Sequence, residues 1–171
     1  MELEINMNIE LKNVKFAAFA SQETNCFTAS VYIDGKKEGT VSNEGHGGSN
    51  FYHPYTLGKK LDDYAKTLAP IPSKYFPEGL EQCADIVIGD AFESYMRRRD
   101  LERLLKGQVV TLQDGKLYGQ KLVKVKDATS LLRNREADIR KVLKIAPTTP
   151  ILNLMPFDEA MRIYLTATGA D

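Results

Sequence analysis

The chain has 171 residues, 43% of them hydrophobic and 27% charged, values typical of a folded globular protein and not of a disordered one. Its 23 lysines and arginines balance 23 aspartates and glutamates, so no bulk charge draws it to nucleic acid or to an anionic membrane, and the sequence carries no strong nucleic-acid signal. This length predicts a single domain over residues 1–171.

The sequence lacks the patterns of export and of membrane insertion. Residues 1–10 alternate acidic and apolar side chains without a basic start, and no run of apolar residues is long enough to cross a bilayer. Cys26 and Cys83 have none of the spacing of a disulfide-rich protein, which fits reduced thiols. We therefore expect a cytoplasmic protein without disulfides and without contact to a membrane.

The first third of the chain predicts β-structure. Phe27, Ala29, Val31 and Ile33 alternate with more polar residues, as in a strand with one buried face. Asp34-Gly35 follows, and this dipeptide between two strand-like segments is a strong hairpin signal. The glycine-rich segment 43–50 is predicted to be a loop that leaves the second strand of this hairpin.

Helical periodicity and turn residues predict the later elements. They are helices near 57–68, 81–106, 128–145 (with a break near Asn134) and 157–165, an irregular stretch at 69–79, a second hairpin of strands 109–112 and 117–125 turning at Asp114-Gly115, and a short strand at 151–154. Strands and helices do not alternate regularly. The order therefore favours an α+β fold with a mainly antiparallel sheet, built from β-hairpins and packed with three to four helices.

The run Arg97-Arg98-Arg99 resembles a basic patch but does not predict a nucleic-acid interface. Three consecutive helical residues point in different directions around the helix. Asp100 and Glu102 also dilute the charge, so a solvated helix surface is the better interpretation.

The residues best suited to chemistry lie at the open end of the first hairpin. Cys26 precedes its first strand and His46 follows its second, so a cysteine–histidine pair or a metal site, with Glu23 and His53 nearby, is one hypothesis. The alternative is that Cys26 is a small packing residue and that the histidines are ordinary loop residues.

The loop 44–50 also admits two interpretations. Successive glycines leave backbone N–H groups that bind anions such as phosphates, although Gly45-His46-Gly47-Gly48 matches no phosphate-binding fingerprint. The alternative is a tight surface turn, because glycine is the usual residue at positions with unusual dihedral angles.

Residues Thr24–Lys37, continuing through Val41–Gly48, resemble small uncharacterised proteins of bacteriophages and bacterial mobile elements. The resemblance covers about the first third of the chain and brings no catalytic residues with it. It implies a setting in which small proteins bind a host component, including immune effectors or their nucleotide signals.

Two functions from different classes follow. The first is a small non-catalytic binding or inhibitory protein acting on a host protein or an anionic, nucleotide-type ligand, without a cofactor or a metal. The second is a small hydrolase or transferase with a Cys/His or metal site near Cys26 and His46. The candidate ligand- or partner-binding residues are those at the open end of the hairpin: Cys26, Asn43, His46, Gly47, Gly48, Ser49, Asn50 and His53.

Overall fold

The computed structural model describes residues 7–122 and 124–169 of the chain. Within these residues it has a four-stranded antiparallel sheet, a two-stranded sheet and four α-helices, which confirms the predicted α+β class. The strands are β1 (Ile9–Phe16), β2 (Phe27–Ile33), β3 (Lys36–Asn43), β4 (Phe51–His53), β5 (Val109–Gln113) and β6 (Lys116–Gln120). The helices are α1 (Tyr55–Ala65), α2 (Ala84–Gly107), α3 (Ala128–Leu143) and α4 (Phe157–Thr168).

Contacts within the chain are concentrated in two compact units, Met1–Tyr95 and Met96–Asp171. The boundary falls within α2, and each unit has its own set of buried apolar side chains. The single domain over residues 1–171 stays a prediction.

The sheet of the first unit has the strand order β1-β2-β3-β4, with every neighbouring pair antiparallel. Ile33 pairs with Lys36, so the connection between β2 and β3 is the two-residue turn Asp34-Gly35. Both turn residues have positive φ, 51° and 79°, as a type I′ turn requires. The predicted first hairpin is therefore confirmed.

The core of the first unit lies between this sheet and the helices. The predicted inward face of β2 is buried, and Leu11 of β1 and Val41 of β3 extend it. The buried helical residues of this unit recur at three- and four-residue spacings, so each helix presents one apolar stripe. They are Leu57, Leu61, Tyr64 and Ala65 of α1 and Ala84, Val87, Ile88 and Phe92 of α2.

The second unit begins its own hairpin where α2 ends. Asp114 and Gly115 have φ of 50° and 74°, so this predicted two-residue turn is also confirmed. β6 ends at Gln120, five residues before the end of the predicted strand at 117–125, and Val123 lies outside the described residues. One cluster of buried residues contains Val109, Ala128, Leu132, Ile139, Ile145 and Ile151. A second contains Leu101, Leu105, Val110, Leu152 and Ala160.

Two details of the predicted elements were wrong or missed. The segment 151–154 is not a strand: Leu152–Leu154 forms a 3-10 turn, and only Ile151 makes a β-bridge, to Thr111. The 3-10 turn forms because the Leu154 N–H donates to the Ile151 carbonyl three residues earlier, so this backbone bonds within the segment instead of to a neighbouring strand. β4 was not predicted, because three residues next to a glycine-rich loop have too little pattern of their own.

The helices agree with prediction to within a few residues. The predicted break in α3 is confirmed at Arg135, whose φ of −142° is not helical. α1 begins two residues earlier and ends three residues earlier than the predicted 57–68. Within the ranges described, every helix is too short or too polar to cross a lipid bilayer.

Candidate functional site

The glycine-rich loop folds back on the turn that precedes β2, and the Asn43 side chain holds it there. Asn43 Oδ1 accepts hydrogen bonds from the Thr24 hydroxyl at 2.7 Å and from the Gly45 N–H at 2.8 Å. Its Nδ2 donates to the Gly48 carbonyl at 2.9 Å and to Asn50 Oδ1 at 3.0 Å. A side-chain amide has two N–H donors and two acceptor lone pairs, so these four hydrogen bonds use the whole hydrogen-bonding capacity of the Asn43 side chain.

Position 45 must be glycine because of its backbone conformation and its close neighbours. Its φ is 86°, and a Cβ there would collide with the Ala20 carbonyl oxygen and lie 2.9 Å from the Cβ of Cys26. The Gly45 carbonyl accepts the backbone N–H groups of Gln22 and Glu23, each at 3.0 Å. No L-residue with a side chain fits this position without strain.

Two loop N–H groups that were candidates for anion binding already donate inside the protein. The Gly45 N–H bonds to Asn43 Oδ1, and the Gly47 N–H bonds to Thr24 Oγ1 at 3.3 Å. The carboxylate of Glu23 lies against Gly47, where an added Cβ would contact its Oε2. The tight-turn interpretation of the loop therefore accounts for these donors, and a negative charge lies beside them.

The loop borders a cleft of about 380 Å³ in the first unit, called here the Asn43 cleft. It is lined by Thr24, Asn25, Phe27, Asn43, Gly47, Gly48, Ser49, Asn50, Asp85, Gly89 and Phe92. Phe27 and Phe92 are buried with ring centroids 4.6 Å apart and give the cleft an apolar side. The remaining lining is mostly amide, hydroxyl and backbone groups, a mixture typical of ligand sites.

A hydrogen-bond network connects β4, the loop and α2 at this cleft. Asp85 Oδ1 accepts the Tyr52 hydroxyl at 2.7 Å and the Asn50 N–H at 3.2 Å. Burial raises the pKa of the Tyr52 hydroxyl far above its usual range; the hydrogen bond to Asn50 opposes this shift and the Asp85 charge adds to it. Tyr52 therefore stays a neutral donor, and Asp85 keeps its second oxygen, Oδ2, without a hydrogen bond from any described residue.

The start of α2 is fixed by a carboxylate of α1. Asp62 Oδ1 accepts the Ala84 N–H at 2.7 Å, which satisfies one of the free N–H groups at the beginning of α2. Asp85 is in the first turn, where the helix dipole favours a negative charge. These contacts hold the Asp85 carboxylate at the edge of the cleft.

The structure brings five of the eight predicted site residues together and places three outside the cleft lining. Asn43, Gly47, Gly48, Ser49 and Asn50 line the cleft.

Cys26, His46 and His53 do not line it. Cys26 is a half-buried free thiol whose backbone pairs with Ala17 and with the Ser21 hydroxyl. His46 and His53 are exposed, and the backbone of His53 pairs with Thr40. Across residues 7–122 and 124–169, no three His, Cys, Asp or Glu side chains are grouped so that they could hold a metal ion.

Sequence reasoning missed the contribution of α2. This helix brings Asp85, Gly89 and Phe92 to the cleft lining. Nothing in the local sequence signals that residue 85 lies beside residue 50, because the contact depends on how α2 packs against the sheet. Thr24 and Asn25 were within reach of prediction, since they precede β2 at the same hairpin end as the loop.

Comparison with known proteins gives no relative from which a function could be transferred: no family model, no curated protein and no solved structure matches this chain.

Proposed function

We propose that this chain is a non-catalytic binding protein and that the Asn43 cleft is its partner-binding site. The observation that carries the proposal is the Asn43 side chain, whose four hydrogen bonds hold the loop in one conformation beside an open cleft. A loop fixed before binding loses less conformational entropy when the partner arrives. The rigid loop and the apolar Phe27–Phe92 side together resemble a preformed ligand site.

The charge of the cleft favours a partner that donates hydrogen bonds or carries a positive charge. Neither lysine nor arginine is among the described residues that line it, and Asp85 brings a carboxylate oxygen without a hydrogen-bond donor. A phosphate would meet this charge and that of Glu23 without a compensating cation. Of the two partner classes expected from the sequence, the cleft therefore favours a host protein with an arginine or lysine side chain over an anionic, nucleotide-type ligand.

The hydrolase or transferase alternative gains no supporting observation. A thiolate nucleophile needs a base beside it and a substrate within reach. Cys26 is half-buried, and neither it nor His46 lines the cleft.

The test is a nuclear magnetic resonance titration of the ¹⁵N-labelled full chain with N-acetyl-arginine amide and, separately, with inorganic phosphate. The arginine probe is expected to shift the amide resonances of Gly48, Ser49, Asn50 and Gly89, which line the cleft. Phosphate is expected to leave them in place. If the arginine probe moved these resonances no more than those of the Asp114-Gly115 turn, the proposal would be wrong.

Two variants sharpen this titration. Asp85→Asn removes the negative charge while keeping an oxygen that accepts the Tyr52 and Asn50 hydrogen bonds, so the arginine probe should bind several-fold more weakly. The matched control is Asp90→Asn, an exposed acid of the same helix that does not line the cleft. Equal effects of the two variants would mean that the probe senses only the overall charge.

A further inference from the structure

The zero net charge of the chain conceals an unequal distribution between its two units. Residues 1–95 contain 8 lysines and arginines against 14 aspartates and glutamates. Residues 96–171 contain 15 against 9, and all 8 arginines of the chain are among them. The second unit therefore carries an excess of six positive charges, which is the kind of asymmetry that favours a polyanionic partner.

Ion pairs in the second unit involve its arginines and leave its lysines available. Arg98, Arg103, Arg135 and Arg140 each pair with an aspartate or glutamate. None of the seven lysines of this unit makes an ion pair with a described residue, and every one is exposed. They are Lys106, Lys116, Lys121, Lys124, Lys126, Lys141 and Lys144.

Four of these lysines belong to segments that meet where α2 ends and α3 begins; Lys106, Lys121, Lys124 and Lys126 are called here the Lys106 patch. Lys106 is in the last turn of α2, and the Thr129 hydroxyl of α3 donates at 3.0 Å to the carbonyl of the preceding residue, Leu105. Lys121 follows Gln120, which pairs with Val109 just beyond the end of α2. Lys126 precedes Asp127, the N-cap of α3.

Asp127 is the acid nearest in sequence to Lys121, Lys124 and Lys126, and its carboxylate already makes a hydrogen bond within the protein. Its carboxylate accepts the Ser130 N–H at 3.0 Å as the helix cap. This hydrogen bond is the main cause that lowers the pKa of Asp127, and the Lys106 charge contributes to the same shift. The contribution of Lys106 indicates that the end of α2 and the start of α3 are electrostatically close.

An exposed aromatic residue accompanies the patch. Tyr118 lies on β6, three residues before Lys121, and its side chain is 48% exposed. β6 pairs only with β5 among the described strands, so Tyr118 is on the edge strand of this small sheet. Leu122 and Val125 are half-buried and leave little apolar surface for insertion into a membrane.

We propose that the Lys106 patch binds the phosphate backbone of single-stranded nucleic acid and that Tyr118 stacks on a base. Lysine ammonium groups contact phosphates as point charges without reading sequence, and an aromatic ring adds stacking that accepts any base. Binding should therefore be non-specific in sequence and strongly dependent on salt. The proposal uses no residue of the Asn43 cleft, so either can fail while the other stands.

The test is fluorescence anisotropy of a labelled oligothymidine of about 20 nucleotides, titrated with the full chain in sodium chloride. Four phosphate contacts predict that affinity falls roughly 50-fold between about 50 and 200 mM salt. The triple variant Lys121→Gln, Lys124→Gln, Lys126→Gln leaves one contact, so this salt effect should shrink to about threefold and affinity at low salt should fall at least about tenfold. Tyr118→Ala should weaken binding about tenfold.

The control is Lys37→Gln, Lys59→Gln, Lys74→Gln, which removes the same charge from exposed positions of the first unit. It should change affinity less than about twofold, and circular dichroism should find both triple variants folded.

The absence of binding at low salt up to about 100 μM protein would overturn the proposal, and so would an equal loss of affinity in the control variant. Binding to phosphatidylserine vesicles but not to the oligonucleotide would assign the patch to a membrane surface instead. Equal affinity for polyglutamate, with no effect of Tyr118→Ala, would assign it to acidic proteins.

Discussion

The Tyr52 hydroxyl of β4 donates a 2.7 Å hydrogen bond to Asp85 Oδ1 of α2. The same oxygen accepts the Asn50 N–H at 3.2 Å, so one carboxylate links the edge strand, the glycine-rich loop and the helix. Because burial raises the pKa of Tyr52, the hydroxyl keeps its proton and the direction of the bond is fixed. This link places a charged oxygen at the edge of a cleft whose other polar side is a loop held by Asn43.

Tyr52→Phe should lower the free energy of unfolding by about 2 kcal/mol at neutral pH, since a hydrogen bond to a charged group is lost. The pKa of Tyr52 is raised in the folded protein. The Tyr52 hydroxyl therefore stabilises the fold below about pH 10, the pKa of tyrosine in the unfolded chain, and this stabilisation is lost as the pH rises above that value. Urea unfolding from about pH 8 to 11 should therefore find the difference between the two proteins shrinking at the alkaline end. Tyr75→Phe, at a position that is 76% exposed, is the control and should change little. A difference that stayed constant with pH would contradict the assignment.

Gly45→Ala and Gly48→Ala form a matched pair within one loop. Gly45 has positive φ and its added Cβ would meet the Ala20 carbonyl, so the alanine variant should lose at least about 2 kcal/mol of stability. Gly48 has neither constraint, since nothing lies within 4 Å of its added Cβ, and its alanine variant should stay within about 0.5 kcal/mol of the parent. Thermal unfolding of both variants checks this, and similar losses of stability in the two would contradict this conformation of the loop.

Asn43→Ala should test whether the Asn43 side chain stabilises the loop, a role distinct from that of residues that only line the cleft. Losing four hydrogen bonds leaves partly buried loop groups without partners, so we expect about 2–3 kcal/mol of destabilisation and faster amide exchange at Gly45 and Gly47. Asn25→Ala is the control: Asn25 lines the cleft but is exposed, so it should affect binding of the arginine probe and leave stability unchanged. The result that would count against us is an Asn43→Ala protein as stable as its parent.

Asn153→Ala should destabilise the second unit. The side chain is 2% exposed; its Oδ1 accepts the Val110 N–H at 2.8 Å, and its Nδ2 donates to the Leu105 carbonyl at 2.7 Å and the Gln108 carbonyl at 2.9 Å. The Leu105 carbonyl keeps its hydrogen bond from the Thr129 hydroxyl, but the variant removes this partner from the Val110 N–H and from the Gln108 carbonyl just beyond α2, at a cost of about 2–4 kcal/mol. Chemical unfolding measures the loss, with exposed Asn134→Ala as the control. An effect of Asn153→Ala no larger than that of the control would argue against this network.

The sequence by itself determined the elements whose signals are local. Asp-Gly dipeptides predicted both two-residue turns, because only residues that tolerate positive φ close such hairpins without strain. Alternation predicted the buried face of β2, and periodicity predicted all four helices to within a few residues. It also placed Asn43 and the loop through Asn50 at the open end of the first hairpin, since both follow directly from the pairing of β2 with β3.

Only the tertiary structure decided what completes the site. Asp85 and Phe92 reach the cleft because α2 packs on the sheet. The contacts join Asp85 to Asn50, 35 positions away, and Phe92 to Phe27, 65 positions away (92 − 27), and no local pattern encodes them. β4 forms because β3 offers a free edge, and Cys26 and His46 lie outside the cleft lining although the sequence places them at the same end of the hairpin. Turns and amphipathic faces depend on near neighbours, whereas a site depends on which faces pack together, and packing is a property of the whole chain.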